Sequence, residues 1–201
     1  AYSIPYESCF GTFSGSWFNA AQIYRKWAEK QKWSIAANKE NPLRKIGMWV
    51  WNRGLVKDIM PPVLQLQKDC GNIPVALDWY WWHSNPYDTE YPDFWPPREG
   101  SGQFMDAIKT MKSAGVFTQV YINGLTWDMD GKSWHEGGEK SVIVKRNGEY
   151  AAYAFNKYNM HRLGYMCGEA PEFQGKLKTL VEKLHGSGLD GLYLDMIGGV
   201  S

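Results

Sequence analysis

Hydrophobic positions change period several times along the chain, and the changes divide it into alternating strands and helices. Residues 1–13 alternate as a short strand does. Ser16 then stands where a helix N-cap is expected, and Ala20, Ile23, Tyr24 and Trp27 share one face of a helix predicted over about 17–33. After the polar stretch 38–42, a buried strand is expected at 46–51 and a helix at 58–68, with Pro61 and Pro62 allowed only in its first turn. A second unit pairs a strand at 73–79 with a helix at 103–114, where Phe104, Ala107, Ile108 and Met111 keep helical spacing and Gly115 supplies the stop. The third strand is 117–122. Its helix, 171–185, carries Phe173, Leu177, Leu180, Val181 and Leu184 on one face, and Gly186 stops it. The fourth strand, 191–195, is an apolar run that reads as buried on both faces and ends in a carboxylate, Asp195.

Strands that alternate with helices predict a parallel sheet with right-handed crossovers. The helix-to-strand connections are short. The strand-to-helix connections after strands two and three instead run through 80–101 and 123–170, stretches rich in Trp, Tyr, Pro and Gly. Long loops on one face usually carry function, and in a barrel that is the face at the C-terminal strand ends. The expected fold class is therefore α/β, of the (β/α) TIM-barrel type with only the first four β/α units, preceded by a short strand and a helix. Residues 1–40 form the lead-in, the tail of a preceding β-rich domain, and 41–201 the half barrel. Open apolar edges on strands one and four predict a homodimer that completes the barrel, or a missing C-terminal half. The N-terminus lacks a Met and the regions of a signal peptide, and reads as a processed or excised boundary.

At 201 residues and 44% hydrophobic, the chain can bury one sizeable core, which sets disorder aside. A net charge of +1 with no Lys/Arg run gives no footprint for nucleic acid or an anionic membrane, and no apolar stretch approaches the ~20 residues that span a bilayer. Eleven Trp and twelve Tyr exceed what a core needs. Rings on a cleft wall stack against sugars, so carbohydrate is the expected partner, although any single Trp is more often a core residue. Cys9, Cys70 and Cys167 have neither metal-like spacing nor an even count, and leave the compartment open. Glycan degradation would favour a secreted or periplasmic location.

Glycoside hydrolysis needs two carboxyl groups, ~5–9.5 Å apart, one protonating the leaving oxygen and the other attacking carbon one or activating water. Asp195, on a rigid strand end, is the catalytic candidate. The acid is not evident; Asp78, Asp88, Asp128 and Glu136 qualify only by loop position, while Glu169 and Glu172 suit a helix start. Alternation puts Asp78 and Tyr80 on one side of strand two, and Trp79 and Trp81 on the other. Asp78 then either binds a sugar hydroxyl or satisfies loop backbone. Asn123, ending strand three, either binds a hydroxyl or makes an Asn-Gly turn. Trp81, Trp82 and Trp127 are candidate stacking platforms, with His83, Asp128 and Arg53 as weaker substrate-binding candidates. Zinc-like spacings, a Gly-rich phosphate loop and a Gly-x-Ser-x-Gly elbow are all missing, so no metal and no cofactor is expected.

Tyr-Leu-Asp-Met-Ile at 193–197, Asp-Trp-Tyr-Trp-Trp-His-Ser-Asn-Pro-Tyr-Asp-Thr at 78–89, Tyr-Pro-Asp-Phe-Trp-Pro-Pro-Arg-Glu-Gly at 91–100 and Ala-Ala-Gln-Ile-Tyr-Arg-Lys-Trp-Ala at 20–28 together resemble the DUF6259 group of bacterial proteins. That group is similar to TIM-barrel glycoside hydrolases related to the α-galactosidase and α-glucosidase clan. The resemblance implies a retaining mechanism with Asp195 as nucleophile, and an acid from about the sixth strand, which this chain does not contain. Alternatives are a non-catalytic carbohydrate-binding half barrel and a self-assembling barrel fragment.

Overall fold

The computed structural model describes residues 8–37, 42–85, 89–154 and 159–197. The chain separates into two compact units, Ala1–Lys45 and Ile46–Ser201. In the first unit, α1 (Trp17–Ala28) and α2 (Lys32–Ala37) replace the single helix expected to 33. Ser16 and Asn19 cap α1 reciprocally: the Ser16 hydroxyl accepts the Phe18 N–H at 3.3 Å, and the Asn19 amide oxygen accepts the Ser16 N–H at 2.9 Å. Residues 8–13 form no strand, and 1–7 lie outside the described residues. The expected lead-in strand is therefore not seen where it can be judged.

The second unit runs β1 (Met48–Arg53), α3 (Val56–Cys70), β2 (Val75–Tyr80), α4 (Ser101–Ser113), β3 (Phe117–Asn123), β4 (Thr126–Asp128), a single π turn, α5 (Glu139–Ser141), β5 (Ala152–Ala154), β6 (Arg162–Tyr165), α6 (Pro171–Gly186) and β7 (Gly191–Asp195). Strands β1, β2, β3 and β7 pair in parallel in that order. Consecutive order is that of a barrel sheet; a doubly wound sheet would reverse partway. The fold is thus α/β, of the (β/α)-barrel type, with four parallel strands joined through α3, α4 and α6.

One core fills the space between the sheet and its helices. Val56, Ile59 and Val63 of α3, Phe104, Ile108 and Met111 of α4, and Leu180 and Leu184 of α6 bury against Val75, Leu77, Trp79, Val120 and Ile122. These are the residues that helical and strand periods aim at one another. At α3 the expectation needs correction. The Glu99 carboxylate accepts the Val56 N–H at 2.7 Å from forty-three residues away, starting the helix earlier, so Pro61 and Pro62 fall inside it rather than in its first turn. They fit because both, with Lys57 and Asp58, whose carbonyls lose their helical donors, lie on the solvent face.

The long connection after β3 is not an irregular loop. Strands β4, β6 and β5 form an antiparallel sheet in that order, beneath which Trp127, Trp134, Val142, Met166 and Phe173 make a second apolar cluster. No helix among the described residues is long and apolar enough to cross a membrane.

Candidate active site

Parallel pairing aligns side chains in rows across the sheet. Trp51, Asp78, Gln119 and Gly191 make one row. Arg53 pairs with Tyr80, and Tyr121 with Tyr193, in the row above; Asn123 and Asp195 stand at the top. All point away from the helix-covered core, to the side that lies inside a barrel. The Tyr80 and Tyr121 rings stack at 4.5 Å, and Tyr121 and Tyr193 lie 5.7 Å apart, so a course of phenol rings separates Asp78 below from Asp195 above. Burial, then Asp78, Tyr193, Tyr121 and Asp195, push the Tyr80 hydroxyl's pKa up.

Asp195 sits at the strand end, where Oδ1 accepts the Met196 N–H at 2.9 Å and the Tyr193 hydroxyl at 3.4 Å. A pocket of about 90 Å³ opens beside it, walled by Tyr91, Tyr121, Asn123, Tyr153 and Met196. A larger cavity, about 380 Å³, lies between α6 and the loop around Asp93 and Trp95 and shares no residue with the Asp195 pocket. The smaller one holds the strand-end carboxylate.

Asp78 lies partly buried on the same inner face. Burial raises its carboxyl above the usual range, against a Gln119 hydrogen bond that lowers it, and Oδ1 has no partner among the described residues. Two strand spacings and four residues of rise put its Cα roughly 16 Å from that of Asp195, well beyond the ~5–9.5 Å between the carboxyl groups of a glycosidase pair. Asn123 serves its turn: its amide oxygen accepts the Leu125 and Thr126 N–H groups and the Thr126 hydroxyl at 2.9–3.0 Å, and its nitrogen meets the Met196 sulfur at 3.4 Å.

Several sequence candidates turn out to be internal. Trp82 and Trp127 are 1% and 2% exposed. Their indole N–H groups bond the Tyr121 carbonyl and the Ser133 hydroxyl, which ties them to the loops; Trp127 also lines the larger cavity beside α6. His83 is fully buried beside Trp82 and Phe94; burial, helped by Arg98, lowers its pKa to about 3. Asp128 is an anchor. Its oxygens accept the Glu90 N–H at 2.6 Å, the Asp130 N–H at 2.9 Å and the His161 ring at 2.7 Å. Asp128, Asp130 and His161 offer ligand atoms within 4.8 Å of one another, but backbone donors already occupy both Asp128 oxygens. Glu136 is exposed and pairs with Lys176; Asp88 lies outside the described residues. At the β1–β2 rim, Arg53 lies over the rings of Trp81 and Trp51, 4.5 and 5.3 Å from their centres, leaving Trp81 as the sequence-named ring that remains near the surface.

The inner tyrosines were within reach of sequence reasoning: stepping back two residues from Asp195 and Asn123 selects Tyr193 and Tyr121. Nothing comparable marked Tyr91 and Tyr153, which are brought in by a loop and by the unforeseen sheet.

Consecutive parallel strands, helices on one face and a carboxylate at a strand end define the (β/α)-barrel type. Within it the chain belongs to the DUF6259 family, a domain of unknown function, which matches residues 2–199. Two relatives are each described as a "Putative glycoside hydrolase". One, from Bacteroides thetaiotaomicron, is 27% identical over 98% of this chain; the other, from Monosiga brevicollis, is 24% identical over 97%. The chain spans 30% and 19% of their lengths. Among solved structures, the α-N-acetylgalactosaminidase NagBb of Bifidobacterium bifidum matches with a TM-score of 0.70 at 17% identity, over 89% of this chain and 32% of that one. The α-galactosidase TtGalA of Thermus thermophilus matches at 0.52 and 14%, over 76% and 32%. At these identities the likeness is one of fold.

Proposed function

We propose that the chain carries the nucleophile of a retaining glycoside hydrolase, and that the nucleophile is Asp195. The observation that carries this reading is a carboxylate at the end of the fourth consecutive parallel strand, with Oδ1 held by a backbone N–H and a tyrosine hydroxyl at the mouth of a tyrosine-lined face. Holding Oδ1 leaves Oδ2 as the attacking atom. It bonds to carbon one as the aglycone leaves with a proton from the acid, and water then releases the sugar. Among the described residues, Asp78 is too distant for that acid, and Asp128 and Glu136 are engaged elsewhere. The reading therefore draws the acid from Asp88, which lies outside the described residues, from further sequence of a longer polypeptide, or from a second copy that closes the barrel. The names of the relatives support hydrolysis of a glycoside, and those of NagBb and TtGalA make α-galactosides and α-N-acetylgalactosaminides the first substrates to test.

The test uses the full-length polypeptide with p-nitrophenyl α-galactoside and α-N-acetylgalactosaminide. Asp195→Asn should cut turnover by about a thousandfold or more with little change in thermal stability. Wild-type turnover in that variant rules Asp195 out. A second reading, sugar binding without turnover, is favoured by the Trp51–Arg53–Trp81 cluster on the rim. It predicts that Trp81→Ala weakens binding while Asp195→Asn does not.

A further inference from the structure

Asp195 owes its orientation to the residue after it. The Met196 N–H bonds Oδ1, and Met196 holds a left-handed backbone, φ 62°, that an unbranched side chain adopts only when its surroundings impose it. The imposing contacts converge on its sulfur. The Asn123 amide nitrogen and the Tyr153 hydroxyl both donate to Sδ at 3.4 Å, so the thioether, a weak acceptor, receives two donors.

Neither donor is loose. Asn123 is fixed by the three bonds its oxygen accepts, and the Tyr153 ring stacks on Tyr165 at 5.1 Å within the β4–β6–β5 sheet. The Asp195 carbonyl meanwhile accepts the Gly124 N–H at 2.9 Å, tying the same turn to the end of β3.

We propose that Met196 is a positioning residue: its thioether, clamped between Asn123 and Tyr153, sets the backbone turn that aims the Asp195 carboxylate. This rests on Asp195 being the nucleophile. It gives the antiparallel sheet a role in the reaction, because that sheet delivers Tyr153 to the sulfur.

Met196→Leu keeps the bulk and removes the acceptor; Tyr153→Phe removes one donor. In the full-length enzyme, Met196→Leu should lower kcat about tenfold with KM within about twofold, since a misaimed nucleophile costs rate rather than ground-state binding. Tyr153→Phe should cost less, and the double variant no more than Met196→Leu alone, because the hydroxyl acts through the sulfur. Losses that multiply, or a kcat unchanged in Met196→Leu, overturn the proposal. A readout free of catalysis accompanies this: amide exchange at Met196 should quicken about tenfold in Met196→Leu. Unchanged exchange overturns the clamp whatever kcat does, whereas wild-type turnover in Asp195→Asn removes the nucleophile and leaves exchange to decide the clamp.

Discussion

His83 and His161 meet opposite surroundings, and pH acts on them in opposite senses. His83 is buried neutral, its pKa lowered to about 3, while an unfolded chain takes up that proton near pH 6.5. Between these values the unfolded state binds more protons, so stability falls as pH drops through the window, by up to about 1.4 kcal/mol per unit. His83→Leu, which removes the titration while filling the space beside Trp82 and Phe94, should move the acid-unfolding midpoint to lower pH; an unmoved midpoint would show that other groups control it. His161 runs the other way. Its pKa is raised by the Asp128 hydrogen bond first, with the charges of Asp128, Asp130 and Glu90 adding and partial burial opposing. Its stabilisation is full below the unfolded value near 6.5 and is lost as pH rises through the raised one. In denaturant titrations, His161→Ala should destabilise more at pH 6 than at pH 9. Equal effects would contradict the pairing. None of this was legible in the sequence, where His83 and Asp128 read as weaker substrate-binding candidates, because burial of a loop residue depends on where the loop folds back.

At the scale of elements, Gln67 shows how a β/α unit is fastened. It sits near the end of α3, 8% exposed, and its amide reaches the turn and the next strand together: Oε1 accepts the Val75 N–H at 2.8 Å, while Nε2 donates to the Gly71 and Ile73 carbonyls at 3.0 and 3.2 Å. Gln67→Leu strands three backbone groups and should cost about 2–3 kcal/mol in equilibrium unfolding. Gln65→Leu, which loses only an exposed bond to Asp69, should stay within about 0.5 kcal/mol, and comparable losses in the two variants would refute the staple. The helices were legible because α4 and α6 keep an apolar face over three turns or more, and β7 ends at Asp195 as the run of Gly191 to Leu194 indicates. Strands β4, β5 and β6 were not. Three or four residues are too few for period two to emerge, and Thr126, Trp127 and Asp128 are all buried, so no polar position alternates.

For the molecule as a whole, the unfinished surface is the inner face of the parallel sheet. Among the described residues, β1 and β7 each pair on one side only, and Trp49, Trp51 and Tyr193 stand 49%, 54% and 38% exposed on the face that a barrel turns inward. Open strand edges beside exposed aromatic rings are an associating surface in water. Light scattering of the 201-residue chain should therefore show mass rising with concentration, and Trp49→Lys, which places a charge on edge strand β1, should reduce it. A plateau at twice the chain mass would favour closure by a second copy and make Asp195 worth assaying in this chain directly. A rise without a plateau would favour closure by something other than a second copy. A constant monomer mass would mean that the edges do not drive association, and would remove the physical ground for seeking the acid in a partner copy.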